Sequence, residues 1–159
     1  MDLQTRAKSI IEKIIYITIA TVSPDGQPWN TPVYSAYDEN YNFYWASDQN
    51  GVHSQNIKQN TNVFIVIYDS TAPEGTGEGV YIKAKAYEIS DEKEITRALN
   101  HLDKRVHKQK DSSTRTAEFQ NDMPRRVYKA VPEQFWINDE GDVNGHYIDV
   151  RKEVELFII

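Results

Sequence analysis

Hydrophobic and polar positions follow two different periods along this chain, and the changes from one to the other mark its elements. Leu3, Ala7, Ile10, Ile11 and Ile14 recur at helical spacing, so residues 3–14 are expected to form an amphipathic helix. Ile15 to Val22 is rich in β-branched residues and stops at Ser23-Pro24-Asp25-Gly26, a turn signal, with Trp29 to Tyr37 as the return strand. Pro32 cannot donate to a ladder, so its strand should lie at an edge, carry a bulge, or turn its N–H side to a ligand. Asp38 to Tyr41 reads as a second turn and Asn42 to Ser47 as a third strand, followed by a short helix over 53–60.

Asn62 to Asp69 is an almost unbroken apolar run, the pattern of a fully buried strand. Ser70 to Gly79 is Gly-rich and should be a loop. Val80, Ile82, Ala84 and Ala86 then alternate with Tyr81, Lys83, Lys85 and Tyr87, as on a half-buried strand. Asp91 with Glu94 three residues on opens a helix to about His107, with Ile95, Leu99 and Leu102 facing inward and His101 and His107 at solvated positions. The cationic cluster Lys104, Arg105, Lys108 and Lys110 reads as a solvated helix end. Residues 108–125 are polar, open to a partly helical, loose or partner-facing reading. Arg126 to Ala130 and Gln134 to Asn138 read as strand pieces around Pro132, Asp139 to Asp142 as a turn around Gly141, and Asn144 to Val150 as the last strand.

This order, dominated by antiparallel hairpins, points to one mainly β domain over 1–159 with peripheral helices. A split or closed antiparallel β-barrel is the economical form, since closure removes exposed edges. The short apolar runs predict no membrane span, and with no signal-peptide pattern the chain is expected to be soluble and cytoplasmic. Eighteen Lys and Arg against 24 Asp and Glu leave a net charge of −6, which disfavours non-specific nucleic-acid binding. The absence of Cys removes disulfides, thiolate metal sites and thiol nucleophiles, and His101 and His107 lack chelating spacing, so no metal is expected. No nucleophile elbow, metalloprotease motif or phosphate-binding Walker loop occurs.

The stretch Asn42 to Ile57 holds the best chemical signal. A strand running into a helix start gathers unpaired N–H groups and partial positive charge at one point, a general seat for phosphate. The runs ITIATV (17–22), PDGQP (24–28), TPVY (31–34), FYWAS (43–47), HSQNI (53–57), VFIVI (63–67) and VYIKAKA (80–86) come in an order similar to the pyridoxamine 5′-phosphate oxidase-like FMN-binding split barrels. VYKAVPEQFW (127–136) resembles the closing strand of that barrel.

The resemblance implies a homodimer with FMN in a groove between subunits, acting on an unidentified small molecule. It implies that Asn30, Thr31, Pro32 and Val33 flank the flavin, that Trp45, Ala46 and Ser47 line it, and that His53 meets the phosphate. Trp136 and His146 would come from the other subunit. The two tryptophans also suit core or dimer-interface positions. Deazaflavin F420 or haem are alternative occupants, and a non-catalytic carrier or sensor is an alternative role.

Two departures stand out. The family pattern has Arg or Lys at the helix start and often Arg on the second strand, where this chain has Val52-His53 and Asn30. Where true pyridoxamine phosphate oxidases carry Arg and His to hold substrate, it has Asp142 and Asn144, which argues against vitamin B6 oxidation. No catalytic side chain is identified.

Overall fold

The computed structural model describes residues 1–107 and 112–156. Asp2 caps α1 (Leu3–Lys13) by accepting from the Thr5 N–H, and the helix buries Ala7 and Ile11. β1 (Tyr16–Val22) and β2 (Pro28–Tyr34) form a hairpin whose turn needs Gly26 at φ 87°. Next come β3 (Ala36–Tyr37) and β4 (Phe43–Asp48), so the strand expected over Trp29–Tyr37 is broken at Ser35. Asp38, buried, holds the β3–β4 turn by accepting from the N–H groups of Asn40 at 3.0 Å and Asn42 at 2.9 Å and from the Tyr44 hydroxyl at 2.9 Å. The chain continues as α2 (Val52–Gln59), β5 (Asn62–Tyr68), β6 (Gly79–Glu88), α3 (Glu92–Arg105), β7 (Arg125–Val143) and β8 (His146–Val154).

The strands form one antiparallel sheet in the order β2-β1-β5-β6-β7-β4-β3. β2 and β3 end opposite sides of that path, yet only Ser35 separates them along the chain. The sheet therefore curls until its ends meet. Chain continuity, not a hydrogen-bond ladder, joins them, and the barrel stays split. Pro32 sits on edge strand β2 opposite Thr18, where its missing N–H costs no ladder bond on the free side. β7 presents one edge to β6 and shares the other end to end, with β4 along Arg125–Ala130 and β8 along Phe135–Val143.

Inward residues of the strands, including Ile17, Ile19, Phe43, Trp45, Ile65, Ile82 and Phe135, fill the barrel with α1 against them. A second core lies outside, where Ile95, Ala98, Leu99 and Leu102 of α3 cover Tyr44, Val127 and Phe119. The alternation of β4 thus serves both cores, odd positions inside and even ones under α3.

Four further expectations need correction. β5 is not fully buried: Val63, Ile65 and Ile67 face the core while Phe64 and Tyr68 face out, because the sheet lacks a second layer there. β7 is one strand and not two pieces. Ala84 pairs with Pro132 but Lys83 with Gln134, so Glu133 is a bulge that absorbs the proline. The last turn is not at Gly141 but at Asn144-Gly145, both with positive φ (55° and 79°), the geometry of a type I′ hairpin. Finally, the end of α3 is solvated only in part: Lys104 and His107 are exposed as expected, but His101 and Arg105 are engaged. His101 stacks on Tyr44 at 5.8 Å between centroids, and Arg105 donates to the Ile11 and Ile14 carbonyls at 2.7 and 2.8 Å.

Lys108, Lys110 and Asp111 lie outside the described residues. From Ser112 onward the polar segment holds two 3₁₀ turns (Ser112–Thr114 and Thr116–Phe119) and buries Phe119. Among the described residues no helix is long and apolar enough to cross a membrane, and no group of His, Asp and Glu could hold a metal ion.

Candidate functional site

The free edge of β2 and the edge of β4 left unpaired beyond β3 approach each other across the split, and α2 packs against β1 and β2. Asn56 in α2 fixes that docking, donating from Nδ2 to the Thr21 hydroxyl of β1 at 3.0 Å. The split is therefore bordered by Asn30 to Val33 on one strand, Trp45 to Ser47 on the other, and the start of α2 with His53.

Within that border the side chains divide. Asn30 and Pro32 are exposed, and Thr31 is half-buried, its hydroxyl accepting from the Trp29 indole N–H at 2.7 Å. Val33 and Trp45 point into the barrel core, so only their backbone can meet a ligand. The Trp45 indole stacks on Tyr128 at 5.7 Å, and its Nε1 is enclosed with no hydrogen-bond partner. Ala46 faces α3, and Ser47 is partly open.

α2 opens without a side-chain cap, because Gly51 occupies the N-cap. The first helical bond runs from the Gln55 N–H to the Gly51 carbonyl at 3.0 Å, and the N–H groups of Val52, His53 and Ser54 find no acceptor among the described residues. No acidic residue occupies the first turn to repel an anion. Backbone donors and the helix dipole are thus available where a phosphate was expected.

The imidazole of His53 does not add a fixed charge to them. Its ring folds back over Gly51, where a Cβ would lie 3.5 Å from Cε1, and its Nε2 is enclosed without a partner. Burial pushes its pKa below the ordinary histidine value, so the ring is neutral near pH 7. Trp136 and His146 stand apart from this border. Trp136 lies on the outer face of the sheet, stacked on Phe64 at 6.1 Å, and His146 is exposed beside the Asn144-Gly145 turn. Asp142 accepts from the Gly145 N–H at 3.0 Å and stabilises that turn.

One cation escaped the sequence reading. Arg125 lies over the Phe119 ring, 5.1 Å from its centroid, at the start of β7. No local pattern distinguishes it from its neighbour Arg126, since what sets it apart is that its guanidinium has no carboxylate or carbonyl partner among the described residues, a tertiary property.

An antiparallel sheet curled to meet its own ends, with an open ladder and a helix start at the gap, defines the split-barrel class. The family model described as pyridoxamine 5′-phosphate oxidase matches residues 3–139, and the chain belongs to that family. Among solved structures it is similar to HutZ, the heme storage protein of Vibrio cholerae (16% identity, 85% of this chain and 94% of that one, TM-score 0.69). It is also similar to a Listeria innocua protein provisionally described as a pyridoxamine 5′-phosphate oxidase (20% identity, 86% and 98%, TM-score 0.62). A third likeness is to a Bacteroides thetaiotaomicron protein provisionally described as a 5-nitroimidazole antibiotic resistance protein (19% identity, 86% and 84%, TM-score 0.68). At such identities the likeness speaks for the fold alone. A search of curated protein sequences finds no match.

Proposed function

We propose that the chain is a homodimeric FMN-binding oxidoreductase acting on a small molecule. The observation that carries this reading is the uncapped start of α2, with its three open N–H groups, at the split between β2 and β4. These donors suit a phosphate monoester, and Asn30, Thr31 and Ser47 are open enough to border the rest of the cofactor. FMN would supply hydride or electron transfer there. The chain supplies position: the neutral His53 and the backbone hold the phosphate end without a fixed cation, so binding is weaker than in relatives with Arg at that point.

The outward apolar face of the sheet supports the dimer. Phe64 is 38% exposed and Tyr68 48%, and Trp136 extends the same face. A second copy covering that face would bring Trp136 and His146 from one protomer toward the split of its partner.

The test is a titration of FMN, followed by flavin fluorescence, into the wild type and Gly51→Asp. Gly51 has φ −61°, which any residue adopts, although a Cβ there lies 3.2 Å from the Asp48 carbonyl. An Asp at this N-cap accepts from the open N–H groups, contributes only a few tenths of a kcal/mol to the helix relative to Gly, and places a negative charge in the phosphate seat. Saturable quenching by the wild type and a loss of at least ~10-fold in affinity for the folded variant are expected. Equal affinity in both proteins would remove the phosphate from α2.

The missing fixed cation favours a second reading, a non-catalytic module holding flavin, F420 or haem. The visible spectrum separates the occupants, by flavin bands against a Soret band. Cofactor binding without turnover by any reductant would support the carrier or sensor role.

A further inference from the structure

We infer that the cleft between α3 and the outer face of β4 binds a small monocarboxylate with a single ring or a short apolar body. The site is separate from the α2 phosphate seat and stands whether or not a flavin is bound. It is a cavity of about 250 Å³, walled on one side by Leu99, Leu102 and Val106 and on another by Phe119, with Ala46 lining it from β4. Such walls take an apolar body and give it no polar anchor.

The charges at the cleft select the other end of the ligand. Asp103 is internally satisfied: Arg115 Nη1 donates to its two oxygens at 2.9 and 2.7 Å, and the Ser112 hydroxyl donates to Oδ2 at 3.1 Å. That pair cancels. Arg125 remains, and its guanidinium has no hydrogen bond or ion pair among the described residues, whereas each of Arg6, Arg97, Arg105, Arg115, Arg126 and Arg151 reaches a carboxylate or carbonyl oxygen through its side chain. The face of Phe119 holds its guanidinium at the cleft and leaves its N–H edge free.

A planar fork of donors beside an apolar wall matches a carboxylate, which it can take in bidentate fashion. The described charged residues of the lining, Asp103, Arg115 and Arg125, sum to one positive charge in a chain of net charge −6, so a monoanion is drawn in and balanced. A dianion would bring an excess negative charge beside Asp103. The ligand would lie next to Ala46, on the strand that borders the proposed cofactor groove.

Isothermal titration of the full chain with benzoate, hexanoate and the neutral isostere benzamide tests this. Saturable binding of at least one carboxylate is expected, with benzamide at least ~10-fold weaker than benzoate, the ratio a charge-assisted hydrogen bond produces. Arg125→Gln should bring benzoate to the level of benzamide. Val106→Trp should abolish binding of all three by filling the cavity, with the far-ultraviolet spectrum and melting temperature confirming that each variant is folded. Failure of both carboxylates to bind the wild type, or benzoate affinity unchanged in folded Arg125→Gln, overturns the inference. Neither result bears on FMN at α2.

Discussion

His53 stands at the start of α2 as a neutral ring, and its burial has a consequence for the whole protein. A histidine whose pKa is lower folded than unfolded takes up a proton more readily in the unfolded chain. It therefore favours the folded state above about pH 6.5, and that contribution is lost as pH falls from there through the folded value. His101, half-buried against Tyr44, has its pKa lowered by the same desolvation and acts in the same direction. Carboxylates lose their contributions in a more acidic window. Asp69, bonded by Thr71 and Lys13, and Asp139, bonded by Lys152 and Arg6, are both held at about 2. Burial pushes the Asp38 carboxyl up, but hydrogen bonds from Asn42, Tyr44 and Asn40 outweigh it and hold it below the usual range. The melting temperature should accordingly fall between pH 7 and 5, and the double variant His53→Gln/His101→Gln should flatten that slope in calorimetric scans. An unchanged slope would show that neither ring is desolvated.

Between elements, the contact that most constrains the assembly is made by Arg105. Its Nη2 donates to two carbonyls at the C-terminal end of α1, and its guanidinium lies 5.0 Å from the Tyr37 ring centroid. The last residues of α3 thereby hold the helix that covers the barrel core, with a cation meeting the negative end of α1. Arg105→Met keeps much of the packing but removes the donors, and should cost about 2 kcal/mol in urea unfolding, with faster proteolysis within 3–13. Equal protease resistance would mean that α1 is held by its apolar face alone. Most element boundaries were legible from the sequence because turns and periods are local. The split of the return strand at Ser35 was not, since it is imposed by the sheet curling on itself. The Glu133 bulge had only Pro132 as a signal. The Asn144-Gly145 hairpin was readable in principle, as an Asn-Gly pair between alternating residues, but Gly141 drew the turn to the wrong place.

For the whole molecule, the outward face of β5 and β7 is the surface on which the proposed dimer would form. Phe64 and Trp136 stack on each other across β6 with no layer above them, and the ring of Tyr81 on the intervening strand carries Arg151 at 4.3 Å. Exposed stacked aromatics of this kind favour association with a like surface. Light scattering should give twice 18.4 kDa for the wild type, and Phe64→Glu/Trp136→Glu should give the monomer. If FMN binding needs residues from both copies, the monomeric variant should also lose it. A monomeric wild type, or a dimer indifferent to both charges, would place the interface elsewhere.

The sequence by itself determined most of the strands and helices, the polarity of the chain and the helix start at a strand end, and limited Pro32 to an edge, a bulge or a ligand-facing strand. All of these follow from the order of neighbouring side chains and from backbone chemistry local to a few residues. Tertiary structure decided which faces are covered. It turned Trp45 into the core, folded His53 over Gly51, left Phe64 outside a strand that looked wholly buried, and left the Arg125 guanidinium without an oxygen partner among the described residues. Burial and pairing depend on residues distant in the chain that the closing barrel brings together, and no local pattern carries them.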